Sequence, residues 1–115
     1  MALKNDNSLA TIVAHEIDRH ARFYILRLLD LGSGHLSDQI LLNLLAATGH
    51  HLTANRLDDL LDGLARQGLI STEKLEDVTL VALMQEGQEV ATGRRVYEDI
   101  ARPPLPRSPR NPKAG

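Results

Sequence analysis

A chain of 115 residues with 43% hydrophobic content has room for one domain built around one modest core. Cysteine and tryptophan are absent and aromatic residues amount to one Phe and two Tyr, which excludes disulfides, thiolate metal sites and thiol catalysis and leaves no platform for stacking unpaired bases. The net charge of −2 conceals an asymmetry: from Arg94 onward six basic residues face two acidic ones, whereas residues 1–93 hold seven basic and thirteen acidic side chains.

The first predicted element is a helix. Asp6, Asn7 and Ser8 offer N-cap oxygens, and from Leu9 to about Leu31 apolar residues recur at helical spacing. Val13, Ile17, Ala21, Tyr24, Leu28 and Leu31 form the expected buried stripe, widened by Ile25 and Leu29. A shorter helix beginning at Ile17 fits the same pattern. The segment carries more apolar residues than one small core needs, with Leu9, Ile12, Val13, Phe23 and Ile25 partly outside the stripe. A surplus of this kind marks an interface, so a homodimer through this helix and the segment after Gly93 is expected. Gly32-Ser33-Gly34 ends the helix.

A second helix starts at a Ser37 cap, with Asp38 in the first turn where the helix dipole favours an anion and Leu36 placed to staple to Leu41. Ile40, Leu41, Leu44 and Leu45 are its expected buried face, and Gly49 is its stop. The third helix repeats the device with Thr53 as cap and Leu52 stapling to Leu57. Leu57, Leu60, Leu61 and Leu64 fall at i, i+3, i+4 and i+7, Gly68 closes the helix, and Leu69 is placed to pack back. About four residues separate the second and third helices, as a tight helix-turn-helix requires.

The period then changes. Leu69–Thr72 and Val78–Leu83 read as strands joined by the polar turn Glu73–Asp77, and a short helix from Gln85 to Thr92 stops at Gly93. This order is that of a winged helix-turn-helix: mainly α with a small β-hairpin wing (α-α-α-β-β-α), the tip at Glu73–Asp77. The domain is expected over residues 1–102. All five prolines lie in residues 103–115, which read as a disordered Pro/Arg-rich tail.

Residues 46–72 (AATGHHLTANRLDDLLDGLARQGLIST) and 78–96 (VTLVALMQEGQEVATGRRV) resemble the small winged-helix (ArsR-like) proteins of Mu-like transposable phages and prophages. The similarity covers roughly Ile17 to Pro104. The TGH turn, the ARQGLI helix end and the E-G-x-x-V-A-x-G-R segment carry it. Met84 stands where that pattern usually has a Thr or Ser cap, so the last helix is expected to start loosely. The resemblance implies a phage origin and a winged helix, and a fold hosts many functions.

In such a fold the third helix is the candidate recognition helix. The candidate DNA contacts are His50, His51, Thr53, Asn55, Arg56 and Arg66, with Lys74 on the wing and Arg107 and Arg110 on the tail. The outward face collects Asn55, Asp59, Asp62 and Arg66, with Asp58 and Arg56 at its two edges, and Lys74 stands among Glu73, Glu76 and Asp77. Phosphate neutralisation supplies nonspecific DNA affinity, so each exposed Asp opposes it. The expected function is a DNA-binding or transcription-regulating accessory protein; the alternative is a phage protein-protein adaptor that keeps the scaffold, has Asp58, Asp59 and Asp62 as its contact face and binds no DNA.

His15 and His20 lie i, i+5 on the helix, about 140° apart, and cannot share an ion as the zinc-protease motif does. No metal or cofactor is expected. With no glycine-rich phosphate loop, nucleophile elbow or Ser-His-Asp grouping, no enzyme activity is expected either. No run is apolar and long enough for a signal peptide or membrane span, which points to the bacterial cytoplasm, with duplex DNA or a phage or host protein as partner.

Overall fold

The computed structural model describes residues 2–104, with side-chain detail from Ser8 onward. Seven elements follow in chain order: α1 (Ala2–Leu31), β1 (His35–Ser37), α2 (Asp38–Ala47), α3 (Ala54–Arg66), β2 (Ile70–Leu75), β3 (Val78–Leu83) and α4 (Gln85–Ala91). Together they form a small mixed domain of four helices and a three-stranded antiparallel sheet in the order β1-β3-β2. The β2–β3 hairpin is consistent with a wing.

α1 runs unbroken for 30 residues and begins at Ala2, ahead of the capping residues expected at Asp6–Ser8. No glycine or proline interrupts it before Gly32, so nothing local stops the helix at those polar side chains. Its buried residues are Ala21, Phe23, Ile25, Leu26 and Leu29, whereas Val13, Ile17 and Leu31 of the expected stripe are 56–69% exposed. The correction has a simple cause. The half from Asp18 to Asp30 packs against α2, α3, α4 and β3 on more than one side, so a single stripe does not describe it. Residues 8–17 are exposed throughout.

The caps of α2 and α3 form as the sequence predicts. Ser37 Oγ accepts from the Ile40 amide at 3.2 Å and Thr53 Oγ1 from the Arg56 amide at 3.1 Å. α3 buries Leu57, Leu60, Leu61 and Leu64, and the Leu69 side chain packs back with no exposure. In α2 only Leu41 and Leu45 are buried. Ile40 (47% exposed) and Leu44 (36%) face outward, since the body covers α2 on one side alone.

The sheet differs from expectation in two ways. β1, a three-residue strand, pairs with β3 through His35↔Ala82, Leu36↔Val81 and Ser37↔Leu80. β2 continues through Glu73, Lys74 and Leu75, so the hairpin turn shrinks to Glu76-Asp77, with Glu76 in the left-handed region at φ 53°. Every β2 residue after Ile70 is exposed. An edge strand free on both faces has no need of alternating apolar residues and reads as a polar loop.

α4 is entered through Met84, whose extended backbone suits an N-cap but whose side chain makes no capping hydrogen bond. Gly87 meets the Leu69 carbonyl so closely that a Cβ would overlap it. After Gly93 the chain returns along α1. Ala101 donates its amide to the Arg19 carbonyl at 3.0 Å, Arg19 and Arg22 donate to the Glu98 and Asp99 carbonyls at 2.9 Å, and Ile100 and Ala101 are buried. The segment assigned above to a dimer contact thus lies largely on its own helix.

Candidate interaction face of the third helix

α3 is fastened by its leucines to the core, so its opposite side is held rigidly toward solvent. Asn55, Asp58, Asp59, Asp62 and Arg66 are exposed there. Arg56 is otherwise engaged. Its guanidinium pairs with Asp18 of α1, and its other terminal nitrogen lies 3.9 Å from Asp59. Arg66 reaches back toward the Asp62 carbonyl at 3.4 Å, a long contact on an exposed side chain. The outward face therefore presents three carboxylates with one guanidinium at its C-terminal end.

The other residues expected at a nucleic-acid contact are partly spent on structure. Thr53 caps α3. His50 packs its ring on Tyr24 with centroids 4.5 Å apart, and its Nδ1 is buried without a hydrogen-bond partner. Burial, and then the neighbouring charges of His20 and His51, hold the His50 imidazole below its ordinary range. His51 is exposed beside it, and Lys74 is exposed near the end of β2, the strand that follows α3. Arg107 and Arg110 lie outside the described residues.

From the sequence, His20 is considered only as a metal ligand and set aside, and Glu16 is given no role. In the structure Glu16 instead accepts from Arg19 at 2.7 Å and pairs with His20 at 2.9 Å. Hydrogen bonds from Arg19 first and His20 second keep the Glu16 carboxyl below the usual carboxylate range. Among the described residues no three His, Asp or Glu side chains gather as metal ligands would. Glu16, Ile17, His20 and Ala21 form one wall of a cleft of about 520 Å³, and the turn Gly49–Leu52 forms the other. The pairing of Asp18 with Arg56 was not foreseen either. Its signal, a carboxylate one turn ahead of the core on α1, acquires meaning only when α3 crosses beside it.

No protein-family model and no solved structure matches the chain. No helix among the described residues is long and apolar enough to cross a membrane. One curated protein is 34% identical over 82 residues, which cover 71% of this chain and 85% of the relative: "Uncharacterized protein gp26" of Escherichia phage Mu. At that identity and coverage the Mu-like phage origin expected from the sequence holds, and the chain belongs to the family of gp26 of phage Mu.

Proposed function

We propose that this protein is a phage protein-protein adaptor on a winged-helix scaffold, presenting the acidic face of α3 to a basic surface of another protein in the bacterial cytoplasm. The ion pair of Arg56 with Asp18 carries the reading, because it takes up the arginine nearest the N-terminus of α3 and leaves Asp58, Asp59 and Asp62 exposed. A groove-reading helix needs cations around its base contacts to hold register, and this face opposes phosphates instead. Neither an enzyme activity nor a cofactor belongs to this reading.

The second reading, DNA binding or transcription regulation, draws on the helix order, the exposed Arg66 and Lys74, and the basic balance after Arg94. Replacing Asp58, Asp59 and Asp62 together with Asn separates the two. For an adaptor, the triple variant loses a phage or host protein that co-purifies with the wild type from phage-producing cells. Its affinity for a random DNA duplex, read by fluorescence anisotropy, stays unchanged. A clear gain in duplex affinity with no protein lost would establish the DNA reading.

A further inference from the structure

Among the described residues, the exposed half of α1 carries a continuous run of exposed apolar side chains. Leu9, Ile12, Val13 and Ile17 are 61%, 62%, 57% and 56% exposed, and they lie on a helix that continues through residues 8–17 without burying any of them. A helical overhang of this length is marginal in water without a packed face.

We propose that a second copy of this chain covers this face, the two α1 helices packing antiparallel about an axis through Val13. The pattern of the stripe names the occupant. Leu9, Val13 and Ile17 form an i, i+4, i+8 ridge that is symmetric about its middle residue. Antiparallel pairing places Leu9 opposite Ile17 of the second copy and Val13 opposite itself, which is the self-complementarity a two-fold contact demands. Ridges of this spacing interdigitate with their like. Ala10 and Ala14 beside the ridge let the backbones approach.

Charge favours the same occupant. Residues 8–17 contain no Lys or Arg, so the face lacks the cations that draw an amphipathic helix to lipid or a basic surface to nucleic acid. Glu16, its one carboxylate, is neutralised within its own helix by Arg19 and His20. Burying the stripe and its neighbours on both helices removes on the order of 1,000 Å², the lower bound for a specific interface. The pairing also completes the cleft. Ile17 forms part of its wall, so Leu9 of the second copy lies over its mouth, against the turn that carries His50 and His51.

Sedimentation equilibrium on the full chain tests this. The wild type is expected at twice the 12.7 kDa chain mass in the micromolar range. Val13→Glu sets two carboxylates against each other on the axis and is expected to raise the dissociation constant at least about 100-fold. The far-ultraviolet circular dichroism and thermal midpoint of the domain, read at a concentration where both proteins are monomeric, stay unchanged because residue 13 lies outside the core. Leu9→Lys and Ile17→Glu each weaken the dimer, and the double variant regains it, since the two positions face each other only in the antiparallel arrangement. A wild type still monomeric at about 100 μM, a dimer indifferent to Val13→Glu, or a double variant no tighter than either single one overturns the proposal.

Discussion

His50 lies at the turn before α3, its ring against Tyr24 and its Nδ1 shut away from solvent. Because burial lowers its pKa from the ordinary 6.5, the unfolded chain takes up a proton in mildly acid solution that the folded chain refuses. Stability from this source is complete above pH 6.5 and declines as pH falls through the folded value. Urea unfolding at neutral and mildly acid pH should show this loss, and His50→Gln should reduce it. The depressed Glu16 carboxyl adds a separate loss at lower pH, below its ordinary 4.5, as its bonds to Arg19 and His20 are protonated away. Packing sets larger magnitudes. Leu64 has no exposure and Leu61 only 2%, so truncating either to Ala is expected to cost about 2–5 kcal/mol in a denaturant melt. Gly87→Ala drives a methyl group into the Leu69 carbonyl, which already accepts from the Met84 amide at 3.0 Å. The shift this forces is expected to cost about 1–3 kcal/mol.

Among the elements, α3 is the one whose sequence and structure agree most closely. Its cap, its four buried leucines and its stop at Gly68, left-handed at φ 78°, are all local in origin. α4 shows the opposite. It is seven residues long and its N-cap Met84 contributes no side-chain bond, so its place comes from Val90 and Ala91 in the core and from the Leu69–Met84 backbone link. Met84 is 45% exposed with φ −88° and ψ 165°, the geometry a capping hydroxyl uses. Met84→Ser is therefore expected to stabilise the domain by about 1 kcal/mol, measured as a higher urea midpoint with an unchanged slope. α1 belongs to two regimes at once: core from Asp18 to Asp30, exposed helix before it. The hydrophobic residues of the two halves look alike in sequence and differ only in what stands beside them.

For the whole molecule the distribution of charge matters more than its total. Residues 1–93 are acidic and the chain after Arg94 is basic, so any attraction to phosphates is weighted toward the C-terminal end. Removing residues 103–115 deletes Arg107, Arg110 and Lys113. If duplex DNA is bound at all, the slope of log affinity against log salt should shrink in magnitude by about 2–3. Anisotropy titrations at two salt concentrations read this directly. An unchanged slope would assign whatever affinity exists to the body. The acidic face of α3 and the apolar face of α1 draw on different side chains, so the two proposed contacts are tested by different substitutions.

By itself the sequence determined the helix starts at Ser37 and Thr53, the buried face of α3, the strand Val78–Leu83 and the stop at Gly93, because capping oxygens, helical periodicity and glycine backbones act over a few residues. It also displayed the carboxylates of α3, since a face read from 100° steps needs no neighbour. Only the tertiary structure decided which half of α1 is core, that Ile40 and Leu44 stay outside, that His35–Ser37 joins the sheet, and that Ile100 and Ala101 return to α1. Each of these depends on residues far apart in the chain. The fate of Arg56 is the decisive case. Read from the helix alone, at the edge of the outward face, it is a candidate phosphate contact, and only the crossing of α1 brings Asp18 beside it to form an ion pair.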